Sequence, residues 1–320
     1  MGGTITSDPD PFRPEDPKNC CKTPQNPTDP DPFGMPTYSI HSMLVSLNVQ
    51  DTPLFYDPPR GPAMRFTVTY NQRENDRSAN PSYTNFGPKW TFNWFSFIED
   101  HPLDSPDREV RHFVRDGGWR TYSGYDSVTG DFETDDQTQA RLVRDLTVSA
   151  PAVRYIRYMN DGSQEIFSYT DGGTLPRRIF MTAYKDPTGN TVTMEYEYVA
   201  SSAQTRLKRI IDAVSQATTI QYDGNTGRVS RITDPFGRYA EFGVGSGPFG
   251  SITDVIGVTS TLQYASGTDR MIGITTPYLS TGPRQTTFEH YCEDETPSTA
   301  CTKPNRWITV TDSKDRKSVV

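Results

Sequence analysis

Gly227-Arg228-Val229-Ser230-Arg231-Ile232-Thr233-Asp234-Pro235-Phe236-Gly237-Arg238-Tyr239 reads as a strand, a tight turn and the start of a returning strand. Asp234 can accept from backbone N–H groups two residues on, Pro235 presets φ for the next turn position, and Gly237 supplies a positive φ. The same chemistry recurs on both sides of this stretch. Asp186-Pro187-Thr188-Gly189, Asp212-Ala213-Val214-Ser215, Asp234-Pro235-Phe236-Gly237, Asp254-Val255-Ile256-Gly257, Thr276-Pro277-Tyr278-Leu279 and Asp312-Ser313-Lys314-Asp315 start 26, 22, 20, 22 and 36 residues apart. A spacing near 20 residues marks an array of one repeated unit. Asp186, Gly189, Asp212, Asp234, Pro235, Gly237, Asp254, Gly257 and Asp312 are therefore expected as structural turn residues.

The segments between the turns alternate with the period of two that half-buried strands require. Val192, Met194 and Tyr196 share one face, as do Leu262 and Tyr264. Val229 and Ile232 lie three apart and cannot face the same way without a bulge, an irregularity that recurs nowhere clearly along the chain. Upstream, strands are expected over residues 40–49, 64–70, 153–158 and 164–169, with Asp-Gly hairpins at Asp116-Gly117 and Asp161-Gly162. Residues 139–146 are too short for an independent helix and are as readily a strand.

Gln221-Tyr222-Asp223 followed by residues 227–239 resembles the repeat of the RHS/YD-repeat family, named for its Tyr-Asp dipeptide. Tyr196-Glu197, Tyr264-Ala265 and Tyr291-Cys292 keep the aromatic and lose the acid. Asp51-Thr52-Pro53-Leu54, the Phe66-Thr67-Val68-Thr69-Tyr70-Asn71 strand and Phe86-Gly87-Pro88-Lys89-Trp90 are similar to the segment preceding such repeats, so the resemblance covers residues 37–320. It implies an all-β fold of spiralling antiparallel hairpins forming part of a hollow shell. Residues 1–36, rich in Asp-Pro steps and poor in aliphatic side chains, are expected to be an extended tail or linker; the resemblance makes 37–178 a β-rich N-terminal region and 179–320 the repeats. A repeat cut short at Lys317-Ser318-Val319-Val320 further suggests a longer array. Family members with an enclosed toxin carry a self-cleaving aspartyl centre at an Asp-Pro-x-Gly-Leu motif. Asp234-Pro235-Phe236-Gly237-Arg238 has Arg in place of Leu and lies mid-array, so no autoproteolysis is expected.

Hydrophobic residues make up 33% of the 320 and aromatics 12%, with a mean hydropathy of −0.68. That suits sheets with one buried and one wet face. No run approaches the roughly 18 apolar residues of a membrane helix. A net charge of −8 argues against a nucleic-acid partner, whose binding needs a basic surface. Arg206-Leu207-Lys208-Arg209 and Pro176-Arg177-Arg178 are either solvated strand faces or contacts for acidic sugars or an anionic cargo. Cys20, Cys21, Cys292 and Cys301 allow three connectivities. A Cys292–Cys301 disulfide closing the insertion between them is one reading, and four reduced thiols another. Disulfides would place the protein outside the cell or on its surface, although Met1-Gly2-Gly3-Thr4 shows no secretory signal.

Trp90-Thr91-Phe92-Asn93-Trp94-Phe95-Ser96-Phe97 is apolar on both faces. It is either where the sheet is plugged or covered, or, with Trp119, a platform on which Trp90, Trp94 and Trp119 stack on sugars. His41, His101, His112 and His290 fall in no spacing tied to metal or triad chemistry, and no nucleophile elbow, phosphate loop or dinucleotide fingerprint appears. No catalytic residue, metal or cofactor is expected. Three functions stay open: a shell segment whose partners are further repeats and a C-terminal effector or toxin, a secreted or surface glycan-binding adhesin, and an all-β glycan-active enzyme.

Overall fold

The computed structural model describes residues 4–6, 35–75, 81–101, 109–173, 176–245, 247–277, 283–292, 306–312 and 316–319. Among them the chain consists of strands and turns, without a helix. The first sheet, here called the cap, runs β1 (Thr4–Thr6), β2 (Thr37–His41), β3 (Ser46–Tyr56), β4 (Met64–Asn71) and β5 (Trp90–Phe92), parallel at β1–β2 and antiparallel beyond. β3 buries Leu47, Val49 and Asp51, then Leu54 and Tyr56. The change of phase is a bulge between Asp51 and Leu54, and Pro53, which has no N–H to lose, sits in it.

The second sheet starts as a closed ring of β6 (Phe97–Asp100), β7 (Val110–Phe113), β8 (Trp119–Tyr122), β9 (Arg141–Arg144), β10 (Tyr155–Tyr158), β11 (Gln164–Thr170) and β12 (Arg177–Lys185). Residues 130–133 bridge β8 to β9: Glu133 N–H donates to Ser123 O and Phe132 N–H to Leu142 O, both at 3.0 Å. The other closure is β6 on the first half of β12. The second half of the same edge of β12 pairs with β13 (Thr191–Val199). From there the wall continues through β14 (Gln204–Ile211), β15 (Ala217–Tyr222), β16 (Val229–Thr233), β17 (Tyr239–Phe242), β18 (Ser251–Thr253), β19 (Thr259–Tyr264), β20 (Met271–Thr276), β21 (Arg284–Cys292), β22 (Arg306–Thr311) and β23 (Lys317–Val319). Each is antiparallel to its predecessor, as the hairpin array requires. A boundary between residues 178 and 179 falls inside β12, which belongs to ring and wall at once.

The bulge at Val229 and Ile232 is real, and contrary to expectation it recurs. Tyr222 pairs with Val229 while Gln221 pairs with Arg231, so Ser230 is the extra residue. Lys208 is extra opposite Tyr196, and Ile272 is extra opposite Tyr264. Each bulge brings an apolar pair three apart to the inner face: Leu207 and Ile210, Val229 and Ile232, Met271 and Ile274, all fully buried. The inner face is covered by the cap and by residues 81–97, an aromatic strap. Trp90 and Phe249 lie 4.3 Å apart between ring centroids, Phe86 and Phe242 4.9 Å. Offset and edge-on contacts of this kind add about 0.5–1.5 kcal/mol each beyond the area they bury.

Candidate functional site: the seams between cap and wall

The turn aspartates build the wall's first rim. Asp186, Asp212, Asp234 and Asp254 each accept on Oδ1 from the N–H groups two and four residues on, at 2.8–3.0 Å. Asp312 accepts from Arg316 N–H at 3.1 Å. The fourth position needs a positive φ, supplied by Gly189, Gly237 and Gly257 at 93°, 81° and 83°, while Ser215 adopts 70° without being glycine. Pro235 occupies the second position of its turn. The Thr276-Pro277 unit runs into residues outside those described.

β3 and the residues after it cross this rim in reverse order. Pro53 O accepts from Val255 N–H at 3.1 Å, and Phe55 O accepts from Arg238 Nη2 at 2.9 Å. Tyr56 OH donates to Asp212 Oδ2 at 3.2 Å, its ring edge-on to Phe236. Arg60 Nη2 reaches Ala213 O at 3.5 Å. Three successive hairpin ends are thus fastened to one strand and its extension. Beside Pro53, Asp51 and Asp254 are both buried, and Asp51 Oδ1 and Asp254 Oδ2 have no hydrogen-bond partner. Burial, then the neighbouring Asp254 charge, pushes the Asp51 carboxyl up to about 7. Burial also raises Asp254.

The second seam lies on the inner face. Tyr196, Tyr222 and Tyr264 each donate from OH to a carbonyl fifteen residues upstream, those of Met181, Leu207 and Phe249, at 2.8, 2.8 and 3.1 Å. His290 stands in the same role at β21, with Nε2 3.0 Å from Met271 O. Met181, Leu207 and Met271 are all bulge residues, whose carbonyls a regular ladder would have paired. The cap and strap meet the same groups. Thr84 Oγ1 lies 2.9 Å from Tyr222 OH and accepts from Leu207 N–H at 2.6 Å. Trp90 Nε1 donates to Tyr264 OH at 2.9 Å, and Gln72 Nε2 lies 3.3 Å from His290 Nδ1. Backbone bonds run alongside, Thr84 N–H to Thr205 O and Val229 N–H to Asn85 O, both 3.0 Å. Burial holds the Tyr196, Tyr222 and Tyr264 phenols well above their ordinary range, so they remain donors.

Several expected sites change character. Trp90 and Trp94 are 0% and 2% exposed, so no sugar can stack on them. Trp119 is half-buried, with Arg111 4.2 Å over its ring and Phe97 and Phe113 against it edge-on. Most of the basic residues are ion-paired: Arg177 is bidentate on Asp100, Arg178 meets Glu99 and Asp171, Arg209 meets Glu195 and Lys208 meets Glu197, while Arg206 donates to Gln204 and lies over the Tyr222 ring. Cys292 ends β21, and its proposed partner Cys301, like Cys20 and Cys21, lies outside the described residues.

Ser96, His112 and Glu165 come together inside the ring without making a triad. Ser96 Oγ is 2.9 Å and Glu165 Oε2 3.9 Å from the same nitrogen, His112 Nε2, and all three residues are buried. A triad needs the acid on the opposite ring nitrogen. One unit went unseen: Tyr125-Asp126-Ser127-Val128-Thr129-Gly130 spells the same turn as Tyr222-Asp223-Gly224-Asn225-Thr226-Gly227. In both, the Asp N–H donates to the carbonyl five residues on, at 2.8 Å. The Tyr-Asp-x-x-Thr-Gly string would have revealed it. A cavity of about 440 Å³ opens between the cap, at Gln50 and Thr67, and the ring hairpins, at Asp116 and Ser163.

No protein-family model matches the chain, and no curated protein matches it. Among solved structures it is similar to TcdB2–TccC3, with a TM-score of 0.45 and 9% identity over 81% of this chain and 17% of that one. It is also similar to a Photorhabdus luminescens Tc holotoxin pore, with a TM-score of 0.44 and 10% identity over 76% and 16%. The N-terminal domain of the effector protein SpvB from Salmonella typhimurium strain LT2 gives 0.34 and 9% over 75% and 94%. The chain spans about a sixth of the length of the first two. Likenesses of this strength add nothing to what the geometry says about function.

Proposed function

We propose that this chain is a non-enzymatic wall segment of an RHS-type shell, closed at this end by its own N-terminal sheet, and that the shell encloses or presents a C-terminal effector or toxin. The observation that carries this reading is the double fastening of the wall, its turn ends to β3 and its tyrosines to the strap. Such a piece serves as a barrier and an end closure. Its turn carboxylates are occupied by backbone N–H groups, which favours a structural role over chemistry. A shell delivering an effector acts outside the producing cell, and extracellular or surface placement follows from the proposal. The adhesin alternative loses its sugar platform to the core at Trp90 and Trp94.

The test is limited proteolysis of the complete gene product. Protection of the region C-terminal to the wall until the wall is denatured supports enclosure. Cleavage of that region at the rate of the free polypeptide rejects it.

A further inference from the structure

Among the described residues six hairpins, beginning at Val114, Met159, Asp186, Asp212, Asp234 and Asp254, share one closure. The N–H of the first residue donates to the carbonyl of the fifth, and the N–H of the fourth to the carbonyl of the first. In five of them the third residue keeps an ordinary φ, and where it is Phe236 or Ile256 it stands 61% or 76% exposed. The Val114 hairpin departs from this pattern. Its third residue, Asp116, has a φ of 66°, in the left-handed region that residues with a Cβ seldom adopt. Among these six turns it alone has a positive φ at the third position, and Asp is one of the few residues with a Cβ that tolerate it.

That conformation turns Asp116 into the 440 Å³ cavity between cap and ring, a size suited to a small ligand. Its carboxylate has no hydrogen-bond partner among the described residues. The neighbouring charges are engaged elsewhere. Arg157 Nη1 is 3.1 Å from Glu165 Oε2. Arg115 donates to Asn93 O and lies 4.7 and 4.9 Å over the Trp94 and Tyr184 rings. Asp161 Oδ1 accepts from Ser163. The lining thus holds three carboxylates, Asp116, Asp161 and Glu165, against two guanidiniums, Arg115 and Arg157. Counted formally, that is an excess of one negative charge, and the half-buried Asp116 carboxylate faces the cavity. Burial, with a contribution from Glu165, pushes the Asp116 carboxyl above its usual range, while Arg115 opposes that.

We propose that this cavity binds a small organic cation, an alkylammonium or guanidinium group, with Asp116 as its counter-charge. The Arg157–Glu165 pair forms part of the wall around it, and the Thr52 and Thr67 hydroxyls, 2.8 Å apart, line the cap side. The site is independent of what the shell encloses.

The test is titration calorimetry on the full chain with methylguanidinium and ethylammonium, using acetate and methyl glucoside as anionic and neutral probes. Saturable binding of a cation, stronger than either control and weakening as pH falls, is expected. Asp116→Asn should weaken it at least ten-fold. Asp116→Gly supplies the residue that the left-handed turn favours, so this variant should fold with an equal or higher Tm and still lose cation binding. Unchanged cation binding in a folded Asp116→Gly protein, equal binding of glucoside or acetate, or no cation binding by the wild-type chain would overturn the assignment.

Discussion

Replacing Asp51 by Asn should make the protein less sensitive to a rise in pH from 5 to 8, by an amount the seam itself sets. Asp51 is buried beside Asp254, and its carboxyl is raised from 3.8 to about 7. The folded state therefore holds a proton that the unfolded chain releases near pH 4. Stability from this group is fully present below the unfolded value and is lost as pH rises through about 7. At 1.36 kcal/mol per unit, the whole shift corresponds to roughly 4 kcal/mol, of which roughly 2–3 kcal/mol falls between pH 5 and pH 8. The substituted carboxamide keeps the shape and carries no charge at any pH. Urea unfolding of both proteins at pH 5 and pH 8 measures the effect. Wild type should lose roughly 2–3 kcal/mol more than Asp51→Asn over that interval, and titrating groups distant from this pair cancel in the comparison. Equal losses in the two proteins would refute the buried carboxylate pair.

Tyr222→Phe removes an OH bonded to both Leu207 O and Thr84, and should cost about 1–3 kcal/mol in denaturant unfolding with little change in m-value. Ser215→Gly should stabilise by up to about 1 kcal/mol, because the wall already demands a φ of 70° there and glycine adopts it freely; a lower midpoint would contradict the turn assignment. His290 is held down to about 4, chiefly by burial. Its contribution is complete above pH 6.5 and is lost as pH falls toward 4, up to about 3 kcal/mol, so His290→Gln should flatten the acid limb of the stability profile.

The turns were legible because a short Asp carboxylate satisfying two N–H groups leaves a local spelling, as at Asp234 and Asp254. The bulge was legible at Val229 and Ile232, where two aliphatics frame two polar residues. It was harder to see at Leu207-Lys208-Arg209-Ile210, which reads as a basic run, and at Met271-Ile272-Gly273-Ile274, which reads as continuously apolar. The seams were hidden for another reason. Trp90 to Tyr264 and Thr84 to Tyr222 span 174 and 138 residues, and no periodicity encodes a partner that far away. Apolarity on both faces of residues 90–97 did signal burial, but only the placement of the strap excluded a ligand. Asp51 carried no signal, since its meaning depends on Asp254 reaching it from another sheet.

The central claim, that cap, strap and wall form one fastened body, is tested most directly by native-state hydrogen exchange followed by mass spectrometry. Peptides covering residues 82–96 should exchange with the same opening free energy as those covering β14 to β16, because Thr84 and Asn85 are bonded into those strands. Strap amides that exchange orders of magnitude faster while the wall stays protected would show two separable pieces and contradict it.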